Sequence, residues 1–263
     1  MSIHDVDAPL RYWRDGAIAH IRFNRPAALN AIDVLTAEGF LAACQAAADD
    51  EDVRVVVISG EGRAFIAGGD LAAIKESPVA TARALIGPMH NGIALLAAMD
   101  APVLASLHGA VAGGGLGVAL AADLAIAAED TRFSFAYVNI GTSSDCSTSW
   151  ALPRLVGMRK AMGMALLGET LDAAEALRIG LVNRVVSADA LSDETGKLAR
   201  ILAEGPTLAL GSLKRLVRDA FSRDLHGQLD AEAVAFAACA GTADFAEGVA
   251  AFFERRPARY RGR

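Results

Sequence analysis

The run VLASLHGAVAGGGLGVALAA, residues 103–122, is the most informative part of the sequence about its architecture. It opens with VLASL, a short apolar segment of the kind that forms a buried strand, and closes with VALAA, which continues as an apolar helix. Between them the consecutive glycines Gly113 to Gly115 start that helix and leave its first backbone N–H groups unpaired. Strands that recur with intervening helices pair in parallel through crossover connections. The run therefore predicts an α/β architecture or a stack of ββα units.

The lack of charge in this region also permits a membrane-spanning interpretation. The 22 residues between Asp100 and Asp123 carry no formal charge, which is nominally enough to cross a bilayer. Pro102, His108 and five glycines interrupt the stretch, however. Because the cores of soluble proteins often produce such runs, we expect a buried strand, turn and helix here, and no contact with a membrane.

Segments on either side extend the alternation of strands and helices. Residues 33–48 have the pattern of an amphipathic helix. Apolar, β-rich segments predict strands from Ala17 to Phe23, Val53 to Ser59, Val103 to Leu107 and Leu124 to Ala127.

Beyond Pro206 the sequence becomes helical in pattern and richer in charge. Helices are predicted from Leu208 to Phe221 and through the closing segment Phe245 to Arg263. We therefore expect two parts, a core that holds the functional site in residues 1–205 and a C-terminal helical subdomain in residues 206–263.

Composition excludes several classes of protein. The chain of 263 residues is 53% hydrophobic and carries a net charge of −6, so it has no overall basic field for binding nucleic acid or anionic membranes. Its cysteines, Cys44, Cys146 and Cys239, show neither CxxC spacing nor a Cys/His cluster, so we expect no disulfide framework and no metal site. The N-terminal segment MSIHDVDAPLRYWRDG lacks the apolar core of a secretory signal, and we expect a cytoplasmic protein.

A second glycine-rich turn, FIAGGDL at residues 65–71, follows the strand VRVVVIS. Paired glycines let the backbone approach a ligand with its amides free. One N–H from each turn could converge on a carbonyl oxygen and stabilise an enolate, and a thioester would suit such a site. The glycines could instead serve only tight packing. A dinucleotide loop is a poorer explanation, because GGGLG lacks the full GxGxxG spacing and no acidic residue follows about 20 positions later.

Taken together, these segments resemble the crotonase superfamily, also called the enoyl-CoA hydratase/isomerase family. FIAGGDL is similar to its F-x-A-G-x-D-L turn, and HGAVAGGGLGVALAAD is similar to its N-G-x-x-x-G-G-G-x-x-L-A-x-x-C-D block. The likeness continues without a gap through residues 140–186, and FAEGVAAFFERR resembles the C-terminal helix of the family. It extends from Gly16 to Arg256.

The resemblance implies a spiral of ββα units, a C-terminal helical trimerisation region, and a homotrimer or dimer of trimers. The substrate it implies is an acyl-CoA, with coenzyme A present as part of the thioester and no permanently bound cofactor. On the matching positions, the oxyanion hole is assigned to the backbone N–H groups of Gly69 and Gly114. Contacts to coenzyme A are implied for Arg25, Ala67, Gly68 and Gly113.

Two glutamates that family hydratases use to add water are missing from this chain. Their positions hold Gly117 and Tyr137, so ordinary hydration lacks both of the carboxylates that would activate the water. Asp145 matches the catalytic aspartate of dienoyl-CoA isomerases, ring-epoxide isomerases of phenylacetyl-CoA breakdown and 4-chlorobenzoyl-CoA dehalogenases. The resemblance therefore favours an isomerase in which one aspartate carries the proton. From the residues alone, the N-cap of a following helix is the preferred interpretation of Asp145, and the resemblance reverses that preference.

His90 supports the first alternative function. In a gapless match through Asp145 it falls on the histidine that dehalogenases use as a base for the hydrolytic water. The aromatic side chains that surround the benzoyl ring in that group are largely missing, because their positions hold Gly69, Met89 and Tyr137. A hydratase with atypical residues, in which Tyr137 could assist, and a non-catalytic acyl-CoA binder are the further alternatives.

Overall fold

The structure is a computed structural model that describes residues 7–263, so the first six residues of the N-terminal segment lie outside it. Its strands, in chain order, are β1 (Leu10–Asp15), β2 (Ile18–Phe23), β3 (Val55–Gly60), β4 (Val103–Leu107), β5 (Ala110–Ala112), β6 (Leu124–Ala128), β7 (Arg132–Ser134), β8 (Thr170–Asp172) and β9 (Arg184–Val186). Its α-helices are α1 (Val34–Asp49), α2 (Leu71–Lys75), α3 (Pro78–Ala98), α4 (Gly114–Ala121), α5 (Thr148–Val156), α6 (Met158–Leu167), α7 (Ala173–Arg178), α8 (Leu191–Ala203), α9 (Thr207–Asp219), α10 (Leu225–Ala240) and α11 (Ala243–Glu254).

The strands form two sheets. The larger has the order β1-β2-β3-β4-β6-β9, in which only the β1–β2 hairpin is antiparallel. The smaller has the order β5-β7-β8. All four strands predicted from the sequence are present, and the predicted helix over residues 33–48 is α1 with Asp33 as its N-cap. Apolar runs flanked by turns were a reliable signal because parallel strands are buried on both faces.

Side chains of the central strands alternate between two apolar layers. Val56 and Ile58 of β3 face the main core, which α1 and α3 cover, whereas Val55 and Val57 face a smaller cluster under α8. This alternation follows from the two-residue period of a strand. Helices therefore cover both faces of the sheet.

The charge-free region between Asp100 and Asp123 is a buried strand, turn and helix, as predicted. β4 is buried at every position, and so is α4. Asp123 at its end pairs with Lys214 (3.1 Å) and Arg218 (2.8 Å), which fixes α9 against the core. In residues 7–263 no single helix has both the length and the apolar composition to cross a bilayer. Helices α10 and α11 have that length and composition only when they are taken together, and the pair is bent by 77°.

The prediction of a helix as far as Arg263 was wrong. α11 ends at Glu254, Arg255 adopts a left-handed φ of 54°, and Pro257 cannot continue the helix. The last residues instead fold back, because the buried carboxylate of Asp244 accepts the backbone N–H groups of Arg261 (2.6 Å) and Gly262 (2.8 Å). The division at residue 206 stays a prediction.

Candidate active site

The two glycine-rich turns lie side by side. Ile66 pairs with Val111 in a parallel bridge, in which Ile66 N–H donates to Ala110 (3.2 Å) and Ala112 N–H donates to Ile66 (3.0 Å). A Cβ placed on Gly113 would lie 3.6 Å from the Cα of Gly68. Both of these glycines have positive φ values, 51° and 117°, which other residues rarely adopt. The bridge therefore holds the two turns against one another.

Each turn presents a backbone N–H that has no acceptor among residues 7–263. Ile32 pairs with the residues on both sides of Gly69. Its N–H donates to the carbonyl of Gly68 and its carbonyl accepts the N–H of Asp70, at 2.8 Å each, so the Gly69 N–H is left free. Gly114 is the first residue of α4, so its N–H has no partner within the helix. Within residues 7–263 neither N–H donates a hydrogen bond. The oxyanion-hole assignment stays a prediction, and these free donors agree with it.

Packing explains some of the glycines but not these two. A Cβ on Gly115 would lie 2.3 Å from the carbonyl oxygen of Ile66, so that position requires glycine. A Cβ on Gly69 or Gly114 would approach its neighbours only to ordinary contact, 3.4 Å from Ile74 and 3.5 Å from Ile32. The interpretation that the glycines serve only packing therefore applies to Gly115 and leaves Gly69 and Gly114 unexplained.

Asp145 lies beside the free N–H of α4. Its Oδ1 is 3.8 Å from the place where a Cβ of Gly114 would stand, and its side chain is half-buried. Tyr137 donates a hydrogen bond from Oη to the same Oδ1. This contact leaves Oδ2 as the carboxylate oxygen that is available to a substrate.

The N-cap interpretation of Asp145 is not what the structure shows. α5 begins at Thr148 with Ser147 as the preceding cap residue. The backbone carbonyl of Asp145, not its carboxylate, accepts the N–H (3.0 Å) and hydroxyl (2.8 Å) of Thr148. The carboxylate therefore caps no helix, and it is held by the Tyr137 hydroxyl instead.

Tyr137 is a buried donor, with 7% of its surface exposed. Burial, together with the negative charge of Asp145, raises the pKa of Tyr137, so its hydroxyl stays protonated over the ordinary pH range. Its ring packs edge-on against Phe135 at 5.1 Å between centroids. Tyr137 thus orients the carboxylate, and the sequence alone did not show this contact.

The position of the missing hydratase glutamate at Gly117 is filled by the aspartate-bearing turn. A Cβ on Gly117 would lie 2.5 Å from both the Cβ and the carbonyl oxygen of Cys146, and 2.8 Å from the hydroxyl of Thr148. No side chain fits there without moving the turn. A glutamate at position 117 and the turn that carries Asp145 therefore exclude each other sterically in this backbone.

We expect Gly117→Glu to unfold at lower denaturant concentration than the wild type and to gain no hydratase activity. Overpacking of a buried site costs about 1–3 kcal/mol, which exceeds the roughly 1 kcal/mol that replacing a helical glycine can gain. Urea unfolding and a crotonyl-CoA hydration assay measure the two effects. Gly196→Ala in α8 is the matched control, because its Cβ would meet only the flexible end of Arg200 at 3.4 Å, and it should be neutral or stabilising. Hydratase activity in Gly117→Glu would contradict the steric argument.

His90 of α3 reaches the same turn from the other side. Its Nε2 accepts the backbone N–H of Cys146 at 3.0 Å, although the histidine itself is exposed. The sequence match paired His90 with Asp145 as a dehalogenase-type base, and in the structure His90 contacts the residue that follows Asp145. A ring nitrogen that accepts a hydrogen bond carries no proton, so Nε2 is not a donor here.

Arg25 is held by neighbouring carboxylates. Its guanidinium lies 2.9 Å from Asp70 and 3.3 Å from Asp33, and the contact keeps the pKa of Asp70 below its usual value. Its backbone N–H donates to the side chain of Asn30 (2.8 Å). Arg25 therefore builds the loop beside the turn that carries Gly69.

Ala67 also has its N–H engaged, in a hydrogen bond of 3.1 Å to Leu29. Only its carbonyl remains for a ligand. The coenzyme A contacts implied for Arg25, Ala67, Gly68 and Gly113 stay predictions. Ala67 and Gly68 lie on one glycine-rich turn and Gly113 on the other, and Arg25 lies on the loop beside the first.

Comparison with known proteins agrees with the geometry of the site. A family model described as enoyl-CoA hydratase/isomerase matches residues 14–263. A 1,2-epoxyphenylacetyl-CoA isomerase of Escherichia coli is 35% identical over 249 residues, which cover 92% of this chain and 94% of the relative. A 4-chlorobenzoyl coenzyme A dehalogenase of Arthrobacter is 36% identical over 239 residues, which cover 89% and 87%. Other relatives of similar identity are named as hydratases.

The fold is likewise shared. A crystal structure from Mycobacterium abscessus, assigned as an enoyl-CoA hydratase/isomerase, superposes with a TM-score of 0.92 at 34% identity. The match covers 97% of this chain and 100% of the other. It confirms the predicted crotonase-type architecture.

Proposed function

Because this chain belongs to the enoyl-CoA hydratase/isomerase family, we propose that it isomerises an enoyl-CoA or related acyl-CoA with Asp145 as the single proton carrier. The observation that carries the proposal is the position of the Asp145 carboxylate, with Oδ1 3.8 Å from the Cβ site of Gly114, whose N–H is free. A base and an oxyanion donor that lie this close can act on neighbouring atoms of one thioester.

The proposed reaction has two proton transfers. Oδ2 of Asp145 removes a proton from the α-carbon of a 3-enoyl thioester. The electron pair of that C–H bond forms a double bond to the thioester carbon, and the π pair of the C=O bond moves to the oxygen, which gives an enolate. The N–H groups of Gly69 and Gly114 stabilise this oxyanion. Asp145 then returns the proton to the γ-carbon while the carbonyl re-forms and the double bond shifts into conjugation. No other reactant is consumed.

Steric exclusion supports isomerisation over hydration. Hydration needs a carboxylate that positions a water on the far side of the double bond, and the space at Gly117 is taken by Cys146 and Thr148. Tyr137 stands at the second glutamate position and donates to Asp145. One carboxylate and one neutral phenol suit a proton shuttle better than activation of water.

The nearness of His90 to the turn that carries Asp145 favours the dehalogenase alternative. That reaction requires Asp145 to form an ester with the aromatic ring and a histidine nitrogen to take a proton from water. Since Nε2 of His90 already accepts the Cys146 N–H, it is not free to do so in this geometry. Trapping of an aryl ester on Asp145 with a 4-chlorobenzoyl thioester would favour this alternative, and its absence would count against it.

A panel of enoyl-, dienoyl- and epoxide-bearing thioesters tests the proposal. We expect double-bond migration with at least one member, and partial retention of deuterium from the α-carbon at the new position, because one carboxyl both takes and returns the proton. Mass spectrometry of the product measures the label. Hydration products in place of isomers would contradict the proposal, and binding without any turnover would favour the non-catalytic binder.

We further propose that the protein is a cytoplasmic homotrimer or dimer of trimers. α10 buries none of its residues within the chain, and large apolar side chains stand exposed along α10 and α11, including Phe236 (70%), Phe252 (79%) and Phe253 (78%). Surfaces of this kind are usually covered in a stable assembly. Sedimentation equilibrium measures the number of subunits, and a monomer at micromolar concentration would contradict the proposal.

A further inference from the structure

The backbone that carries Asp145 is strained. Cys146 and Ser147 follow it with φ values of 49° and 59°, both in the left-handed region. Such conformations in residues other than glycine cost on the order of 1–3 kcal/mol each and persist only where surrounding contacts impose them. A pair of them in succession therefore needs specific support.

That support reaches the peptide between Asp145 and Cys146 from two sides. Its carbonyl accepts the N–H and hydroxyl of Thr148 at 3.0 and 2.8 Å. Its N–H donates to Nε2 of His90 at 3.0 Å. The carbonyl partner belongs to the same turn, whereas His90 lies on α3, 56 residues earlier. His90 therefore ties the N–H side of the strained peptide to α3, whereas the Tyr137 hydroxyl contacts the Asp145 carbonyl (3.4 Å) and carboxylate.

We propose that His90 is a positioning residue, which holds the Asp145–Cys146 peptide through its Nε2 acceptor and so aims the carboxylate at the site beside Gly114. The inference rests on the proposed function and extends it, because it assigns His90 a role other than that of a base. Loss of the acceptor lets the peptide rotate out of its strained conformation, and the carboxylate moves with it. A displacement of about 1 Å at a reacting group can cost about 10²-fold in rate.

Both roles need an unprotonated Nε2 on His90, and they differ in what that nitrogen faces. A positioning acceptor has an unprotonated Nε2 and a protonated Nδ1, which is the opposite of the usual neutral tautomer of histidine. A base that waits for water needs Nε2 without a protein donor. Glutamine separates the roles, since its Oε1 lies as many bonds from Cα as Nε2 does and accepts a hydrogen bond, but cannot take up a proton near neutral pH.

Nuclear magnetic resonance of the full-length protein tests the contact without any assay of turnover. Labelling with ¹⁵N-cysteine gives three amide signals, from Cys44, Cys146 and Cys239, and Cys146→Ser assigns the relevant one. We expect its shift to change in His90→Ala and to stay close to the wild-type value in His90→Gln. Labelling with ¹⁵N-histidine should show an unprotonated Nε2 at His90. A protonated Nε2, or an unchanged Cys146 amide in His90→Ala, would overturn the proposal.

Kinetics on an accepted thioester completes the test. We expect kcat of His90→Ala to fall about 10–10²-fold with little change in KM, and His90→Gln to recover most of that loss. Asn91→Ala is the control, because Asn91 is the exposed neighbour on α3. A glutamine variant as impaired as the alanine variant would show that His90 acts as a base. If the wild type turns over no thioester, the proposed function fails, while the resonance experiment still decides whether His90 holds the turn.

Discussion

Asp145→Asn is expected to lower isomerase kcat by about 10³-fold or more while leaving acyl-CoA affinity almost unchanged. General acid–base catalysis typically contributes about 10²–10⁴-fold, and one carboxylate here serves both proton transfers. Asparagine keeps an Oδ1 that can accept the Tyr137 hydroxyl, so the turn should hold its shape. Steady-state kinetics and calorimetric titration with a substrate analogue measure the two quantities.

Ser144→Ala is the control for this substitution, because Ser144 precedes Asp145 in the same turn and is half-buried as well. It should retain turnover near that of the wild type. Wild-type-like isomerisation by Asp145→Asn would remove Asp145 from the mechanism. An equal loss of kcat in Asp145→Asn and Ser144→Ala would indicate that the substitutions disrupt the turn, and not that the proton carrier is lost.

Much of the site could be predicted from the sequence because glycines report backbone requirements directly. The run at residues 103–122 indicated a buried strand followed by a helix with free N–H groups, and the structure has β4 and α4 there. The missing glutamates were also visible in the sequence. Gly117 looked like a simple loss, however, and only the packing of Cys146 against it shows that a glutamate and the aspartate-bearing turn compete for one space.

The contacts of the turn itself could not be predicted. Cys146 and Ser147 are not residue types that signal a left-handed backbone, so nothing in their identity announces the strain at 49° and 59°. The bond from Cys146 to His90 joins positions 56 residues apart through a backbone N–H, which leaves no pattern in the sequence. The end of α11 was missed for a different reason. The apolar and basic pattern continues, but Pro257 and the fold-back onto Asp244 override it.

Gly114→Pro is expected to lower kcat by about 10²–10³-fold, the usual effect of removing one oxyanion donor. Gly114 is the first residue of α4, a position where proline fits a helix and deletes only an N–H that the helix does not use. The charge on the thioester oxygen develops in the enolate and not in the bound substrate, so the loss should appear in kcat more than in KM.

Gly114→Ala is the matched control, because it keeps the N–H and adds one methyl group. That methyl would lie 3.5 Å from Ile32, 3.6 Å from Cys146 and 3.8 Å from Asp145, all ordinary contact distances. We expect the alanine variant to stay within about 10-fold of wild-type kcat, since a methyl group beside the carboxylate crowds the substrate without removing the donor. Thermal unfolding followed by circular dichroism checks that both variants keep the fold. A similar loss in the two variants would mean that space at Gly114, and not its N–H, is what the reaction needs.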